Sequence, residues 1–255
     1  MSQLWNSFKI AFSMYSKIPM PYSDWSKENM KYAMGFFPLV GAAVGAVTLG
    51  AAYLLAILGL PDGHLFRAAL LTVLPVLITG GIHLDGFLDT SDALSSWQER
   101  ERRLEILKDS HAGAFAIICC AVYMVLYLGA VSLIPWKSYF VLGLSFIQIR
   151  AFSGLSVVTF PMAKNTGLAA AFSDSAHKRV IRVWLLVMLI FCTAGMIGIR
   201  PVLGTVCTAA VLLVFFYYRH MSMKNFGGIN GDLAGWFLQV AELAAVLAAA
   251  VVTFI

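Results

Sequence analysis

Three aspartates stand close together near position 90 in a chain that otherwise carries little charge. Asp85, Asp89 and Asp92 follow an i, i+4, i+7 spacing, so a helix would place them on one stripe, within about 60° of each other. The whole chain has only 13 acidic residues. Like charges at this spacing repel, and a hard cation such as Mg²⁺ would reverse the repulsion, because it binds carboxylate oxygens and usually substrate phosphates as well. The spacing therefore favours a cation and phosphate site over helix capping or simple exposure to water.

A histidine and three glycines accompany the acidic stripe. The glycines at 80, 81 and 86 remove side chains where a ligand could approach the backbone. His83 stands two residues before Asp85, and two interpretations of it remain. It orients a carboxylate or ligates a metal, or it merely occupies the membrane boundary. On the functional interpretation, His83 joins the three aspartates as a candidate catalytic residue.

A second polar motif consists of Lys108, Asp109 and Ser110, which precede a long apolar segment. Asp109 or Ser110 can cap the helix that this segment forms. In the alternative interpretation, Asp109 is a fourth catalytic and metal-binding carboxylate, and Lys108 and Ser110 contact a phosphate at the helix N-terminus. The charged stretch 99–108 is typical of a solvated helix.

Three glycines and two polar residues open the last apolar segment. Such a turn suits a backbone nest that binds an anion at the start of a helix, although Gly-rich turns are common. The candidate substrate contacts in this turn are Gly227, Gly228, Asn230, Gly231 and Asp232. Asn165, in the turn 164–168, is a further candidate substrate contact, and an ordinary loop is its alternative.

Two charged residues, Arg150 and Glu242, fall inside apolar segments. An ionisable residue within the membrane is functional by default, which makes Arg150 a candidate substrate contact. The alternative is that the two charges pair with each other and join two helices.

The composition decides the class of protein. Of 255 residues, 60% are hydrophobic and 12% are charged, about half the charge of a soluble domain. Seven segments are long and apolar enough to span a membrane as helices: about 33–60, 66–83, 112–134, 138–160, 180–199, 201–218 and 233–255. We predict an all-α polytopic bundle of about seven transmembrane helices. Residues 3–16 add an amphipathic helix, which lies in the membrane interface or packs on the bundle.

The distribution of basic residues predicts the orientation. Fourteen of the 18 Lys and Arg residues fall in segments that seven spans would place on one side, and three fall on the other. The positive-inside rule makes the richer side cytoplasmic. The N-terminus and every polar motif then lie on the cytoplasmic face of the cell membrane. The net charge of +5 is accordingly assigned to orientation and lipid contact, not to nucleic acid.

The motif at 80–93 resembles the signature of the cobalamin synthase family, Gly-Gly-x-His-x-Asp-Gly-x-x-Asp-Thr-x-Asp-Ala. Shorter matches follow in the family's order at 16–21, 37–41, 108–113, 165–168 and 227–232. The first motif is highly specific, whereas the others gain weight only together. The resemblance covers nearly the whole chain and implies one integral-membrane domain over 1–255.

The resemblance implies an adenosylcobinamide-GDP ribazoletransferase that uses Mg²⁺. Such an enzyme joins adenosylcobinamide-GDP to α-ribazole, or to its 5′-phosphate, and yields adenosylcobalamin, or its 5′-phosphate, and GMP. Asp85, Asp89, Asp92 and Asp109 would then hold Mg²⁺ on the diphosphate, and Asp92 or Asp109 would take the proton of the attacking hydroxyl. Phosphoryl transfer depends mostly on positioning and charge neutralisation, which these residues can supply.

Two other functions compete with this one. A CDP-alcohol phosphotransferase acting on lipid would use similar aspartates, but the Ala-Arg that follows Asp-Gly in that family is missing here. An ion-coupled carrier would show polar features toward both faces and internal repeats, whereas the motifs here are one-sided. The sequence leaves open whether the protein forms a homo-oligomer or associates with other late cobalamin-assembly enzymes.

Overall fold

The computed structural model describes residues 3–109 and 111–254, and within them the chain forms twelve α-helices, one 3₁₀ turn and a single isolated β-bridge. The all-α bundle predicted from the sequence is confirmed. The helices are α1 (Gln3–Tyr15), α2 (Lys27–Met30), α3 (Ala33–Ile57), α4 (Leu65–Thr79), α5 (Ile82–Ser95), α6 (Arg100–Ile106), α7 (Ala114–Leu133), α8 (Tyr139–Thr159), α9 (Leu168–Ser175), α10 (Lys178–Ile199), α11 (Pro201–Phe226) and α12 (Gly231–Val252).

Six helices, α3, α7, α8, α10, α11 and α12, are long and apolar enough to cross a membrane. The remaining predicted span, 66–83, corresponds to α4, which is shorter and meets α5 at a bend of 95°. Gly80 and Gly81 make this bend with φ of +69° and +78°, a conformation that is costly for other residues. These two glycines therefore turn the chain, and α5 leaves the line of the span.

The first and last turns of α4 lie at opposite ends of the bundle, so α4 reaches both ends without α5. Near its start, Arg67 pairs with Asp62, whose Oδ1 also accepts a hydrogen bond of 3.1 Å from the backbone N–H of Trp136 in the turn before α8. Near its end, the carbonyl of Ile78 accepts a 2.7 Å hydrogen bond from the backbone N–H of Lys17, just after α1. We therefore treat α4 as the seventh span and α5 as lying outside the spans.

The connections at the two ends of the bundle differ in chemistry, as the sequence predicts. The far end has the turn around Trp136 and the tight hairpin at Arg200, which donates a 2.8 Å hydrogen bond to Ser138. The near end has α1, α5, α6, α9 and the loops around 164 and 228. Every polar motif of the sequence analysis whose residues are described lies in or beside these near-end elements.

Close packing between α3 and α8 forms the centre of the bundle. A Cβ atom at Gly45 would lie 2.5 Å from the carbonyl oxygen of Gly143, and one at Gly41 would lie 2.7 Å from Cδ of Arg150. Only glycine permits backbones this close. The Gly-rich helix α3 therefore packs tightly against α8.

The first helix, α1, packs against the near end of α3. Its Ile10 and Phe12 are buried, the rings of Phe8 and Phe36 meet edge to face at 5.8 Å, and the Nζ of Lys9 donates a 3.0 Å hydrogen bond to the carbonyl of Tyr22. Of the two alternatives for residues 3–16, the structure therefore has the helix packed on the bundle.

Candidate active site

A cavity of about 340 Å³ opens at the near end of the bundle. Its walls come from α1, α3, α5, α6, α8, α9, α12 and the loop around 164, so it is where most near-end elements converge. Charged side chains of both signs line it: Asp85, Lys108, Lys164 and Asp232. The remaining wall is largely apolar.

Glycines bring the two acid-bearing helices, α5 and α12, into backbone contact. A Cβ atom at Gly86 would lie 2.8 Å from Cα of Asp232, and one at Gly235 would lie 3.0 Å from the carbonyl oxygen of His83. The close crossing sets the acidic stripe of α5 against the first turn of α12. Gly86 therefore serves helix packing next to the site.

The carboxylates of α5 and α12 form one negatively charged group. Burial, followed by the nearby charges of Asp85, Asp232 and Asp92, raises the pKa of Asp89 to about 6. Asp232, predicted as a substrate contact, thus joins the acidic group. Carboxylates that raise one another's pKa in this way favour a bound cation.

Asp92 makes a structural contact as well. Its Oδ1 accepts a 3.2 Å hydrogen bond from the backbone N–H of Ala116 in the first turn of α7. Helix capping was the alternative role for these aspartates, and Asp92 does cap a helix, α7. Gly113 leaves room for the carboxylate, since a Cβ atom there would collide with it.

Asp109 lies away from the acidic group. Its Oδ1 accepts a 3.0 Å hydrogen bond from the backbone N–H of His111 and lies 2.8 Å from Nδ1 of the same residue. These bonds lower the pKa of Asp109, which is exposed. The other candidate in this motif, Ser110, lies outside the described residues.

Two lysines form the basic wall of the cavity. Lys108, a predicted phosphate contact, lies beside Lys164, whose pKa is lowered by burial and then by the charge of Lys108. Lys108 follows α6, and Lys164 contacts it through the carbonyl of Leu104. Leu104 and Leu107 are buried and line the cavity. The helix predicted as a solvated face is thus amphipathic and forms part of the wall.

The Gly-rich turn before α12 serves the packing of the backbone. Gly227 ends α11 with φ of +70°, and its Cα packs against the guanidinium of Arg100. A Cβ atom at Gly228 would lie 2.5 Å from the backbone N of Ala163. Of the three glycines, only Gly231 both lines the cavity and has open space where a Cβ atom would stand.

Asn230 caps the last helix beside the cavity. Its Oδ1 accepts a 2.9 Å hydrogen bond from the backbone N–H of Leu233, and its Nδ2 donates one of 2.9 Å to Asp232. Asn165 does not line the cavity, whereas its neighbour Thr166 does. Asn230 therefore caps α12 and orients the carboxylate of Asp232.

Arg150 pairs with Glu242 inside the bundle. Nη1 of Arg150 lies 2.7 Å from Oε1 of Glu242, and the two side chains are 0% and 2% exposed. Arg150 also donates a 3.2 Å hydrogen bond to the carbonyl of Phe146. The structure has the pairing that the sequence analysis offered as the alternative, and Arg150 does not line the cavity.

His83 lies at the inner end of the cavity. It is 3% exposed, and its Nε2 has no hydrogen-bond partner among the described residues. Burial, followed by the charge of Arg150, holds its pKa well below the usual range. The rings of Tyr15 and Phe37 pack against it, each with its centroid 5.8 Å away.

Two aromatic residues of the cavity, Tyr15 and Phe37, were not candidates from the sequence. Lys164 and Thr166, which also line the cavity, belong to the turn 164–168 that the sequence did indicate as a substrate contact. The aromatic residues carry no such signal, because Tyr and Phe at helical spacing usually indicate only a packed face.

The carboxylates beside the cavity suit a hard cation whose remaining ligands come from the substrate. Within residues 3–109 and 111–254, no three His, Cys, Asp or Glu side chains are already gathered as a metal site. Mg²⁺ is commonly held by one or two carboxylates together with substrate phosphates and water. Asp85 and Asp232 on the cavity wall, with Asp89 beside them, fit that pattern.

Comparison with known proteins points to one family. The family model described as Cobalamin-5-phosphate synthase matches residues 7–250. A protein of Lachnoclostridium phytofermentans is 48% identical over 246 residues, which cover 95% of this chain and 92% of that protein. Proteins of Clostridium perfringens (31% identical, 97% and 98% covered) and Pseudomonas syringae (34%, 97% and 98%) are also similar. All three are named adenosylcobinamide-GDP ribazoletransferase. No solved structure gives a significant match.

Proposed function

The chain belongs to the Cobalamin-5-phosphate synthase family, and we propose that it is an Mg²⁺-dependent adenosylcobinamide-GDP ribazoletransferase of the cell membrane. The observation that carries this proposal is the cavity at the near end of the bundle, which is lined by both acidic and basic side chains, Asp85 and Asp232 with Lys108 and Lys164. A diphosphate with its cation needs both kinds of partner.

The reaction is a phosphoryl transfer. A ribose hydroxyl oxygen of α-ribazole, or of its 5′-phosphate, forms a bond to the phosphorus nearest the cobinamide. The bond from that phosphorus to the bridging oxygen breaks, and GMP leaves with that oxygen. The hydroxyl proton passes to a protein carboxylate. No electron is gained or lost, so the reaction needs no redox partner.

Each charged group has a role in this reaction. Asp85 and Asp232 would hold Mg²⁺, which would neutralise charge on the diphosphate as the bond to GMP breaks. Lys108 and Lys164 would bind phosphate oxygens. Lys108 follows the short helix α6, and Lys164 donates a 3.4 Å hydrogen bond to the carbonyl of Leu104 in that helix, so the diphosphate would bind beside α6.

Among the carboxylates, Asp89 is best suited to accept the proton. Its pKa of about 6 lies close to a neutral working pH, where a general base is most effective. The predicted bases are less suited, because Asp92 already accepts the N–H of Ala116 and Asp109 is exposed and bound to His111.

The proposed orientation has the N-terminus and the cavity on the cytoplasmic side. It rests on the basic residues, of which fourteen fall on the cavity side and three on the other. A nucleotide-linked substrate made in the cytoplasm would then reach the site directly.

The test uses purified protein in detergent with adenosylcobinamide-GDP, α-ribazole and Mg²⁺, and measures GMP. We expect GMP release that EDTA abolishes and added Mg²⁺ restores. Asp85→Asn should reduce kcat by about 100-fold or more, whereas Asp24→Asn, at an exposed aspartate, should not. Wild-type protein that releases no GMP would contradict the proposal. Label that crosses a vesicle membrane unchanged would instead favour a carrier.

A further inference from the structure

We propose that the inner end of the cavity, formed by Tyr15, Met34, Phe37 and His83, binds the aromatic base of the acceptor nucleoside, while the corrinoid stays outside. This inference rests on the proposed function and assigns one part of the same site to one substrate. The base of α-ribazole is a dimethylated benzimidazole, a flat and mostly apolar bicycle.

Size separates the two substrates. The cavity holds about 340 Å³, near the lower end of the range for small-molecule pockets, roughly 300–1,000 Å³. A nucleoside fits such a volume. A corrin ring with its amide side chains and adenosyl group is several times larger, so the donor can place only its diphosphate at the cavity mouth.

Three rings from three helices form the inner walls. The centroids of Tyr15 on α1 and Phe37 on α3 are 4.3 Å apart, with an angle of 37° between the planes. Tyr15 stacks on His83 of α5 at 5.8 Å with an angle of 23°. Aromatic walls of this kind bind a flat ring through offset stacking and edge contacts.

His83 supplies a polar atom that the protein leaves unpaired. Its side chain is almost fully buried, it lines the cavity, and Nε2 has no partner among the described residues. A buried ring nitrogen without a partner is costly, so the tautomer of His83 that carries its proton on Nε2 gains from a ligand that accepts this hydrogen bond. Once the ribose is attached, a benzimidazole keeps one ring nitrogen with a free lone pair, which can accept the bond.

The same walls disfavour the guanine of the donor. Guanine carries a carbonyl, a ring N–H and an amino group, each of which needs a partner when buried. Much of the inner wall is apolar, with Met14, Met34, Val157 and Leu238. Guanine would lose more hydrogen bonds to water than these walls could replace, whereas the methyl groups of the benzimidazole suit them.

The test measures each substrate separately in three variants. Phe37→Leu shortens one wall, Phe37→Met supplies a longer and more flexible side chain in case the first variant folds poorly, and His83→Gln alters the polar atom. Phe36→Leu is the matched control, because Phe36 neighbours Phe37 on α3 but does not line the cavity. Steady-state kinetics give KM for α-ribazole and for adenosylcobinamide-GDP, and fluorescence titration of α-ribazole gives its Kd without turnover.

We expect KM and Kd for α-ribazole to rise about tenfold or more in the Phe37 and His83 variants. KM for adenosylcobinamide-GDP should change less than about twofold, and the Phe36→Leu control should match wild type. A rise in KM for the donor with unchanged Kd for α-ribazole would overturn the inference and assign the cavity to guanine. Wild-type protein that binds α-ribazole but makes no GMP would contradict the proposed function alone.

Discussion

Replacing Gly86 with alanine tests whether the crossing of α5 and α12 assembles the acidic group. A Cβ atom at this position would lie 2.8 Å from both Cα and the carbonyl oxygen of Asp232. That is about 0.6 Å short of the 3.4 Å at which ordinary contact begins. Both obstructing atoms belong to the backbone, so no side chain can rotate away and the helices must separate.

The expected cost follows from that separation. Overpacking of this size destabilises by about 1–3 kcal/mol, which should lower the Tm of the protein in detergent. A shift approaching 1 Å between catalytic groups can reduce the rate about 100-fold. We therefore expect Gly86→Ala to reduce kcat for GMP release by one to two orders of magnitude, roughly 10–100-fold, and to raise the Mg²⁺ concentration that gives half-maximal activity.

The matched control is Gly129→Ala, on α7, where a Cβ atom would meet no other atom within 4 Å. This substitution should leave kcat unchanged and stabilise the helix slightly. The protein needs to be folded for the comparison, so circular dichroism and Tm are measured on both variants. Wild-type kcat and Mg²⁺ dependence in a folded Gly86→Ala protein would refute the role assigned to the crossing.

Three further predictions concern individual side chains. Arg150→Met or Glu242→Met alone should destabilise by about 3–5 kcal/mol because each leaves a buried charge unpaired, whereas the double variant should recover most of the loss. Losses of Tm in detergent that simply add in the double variant would contradict this. Without divalent cation, ionisation of Asp89 opposes folding, because its pKa of about 6 lies above the ordinary value of 3.8. The Tm of wild type should therefore fall, relative to that of Asp89→Asn, as the pH rises from about 4 through 6, and parallel Tm curves would exclude this effect. Asp92→Ala should destabilise α7 by about 1 kcal/mol through the lost cap, while Asp92→Asn keeps an acceptor and should restore Tm; equal Tm values for the two variants would exclude a capping role.

The spans and the end-to-end polarity of the bundle follow from local properties of the sequence. A segment of about 20 apolar residues has to be a helix in a membrane, because its backbone groups find no other partners. Arg200 and Pro201 stop one such helix and start the next, so the hairpin of α10 and α11 was predictable. Charged segments cannot lie within lipid, so the polar motifs lie at the ends of the spans. The order of the seven spans along the chain then puts these motifs at the same end.

The assembly of the site depended on contacts between distant parts of the chain. Asp232 joins the acidic group only because Gly86 lets α12 approach α5, and spacing along the sequence cannot show such a crossing. The bend at Gly80 and Gly81 was likewise not predicted from the sequence. The sequence suggested that these glycines make space for a ligand, but their positive φ values turn α5 away from α4.

The sequence by itself determined an all-α membrane protein with its polar motifs at one end and three aspartates on one stripe of a helix. Apolar length, charge and helical spacing are properties of neighbouring residues, so no fold is needed to read them. The tertiary structure alone decided which carboxylates meet, which aspartate caps α7, and which rings enclose His83. Those outcomes depend on how closely helices far apart in the chain approach each other, and that distance is set by packing across the whole bundle.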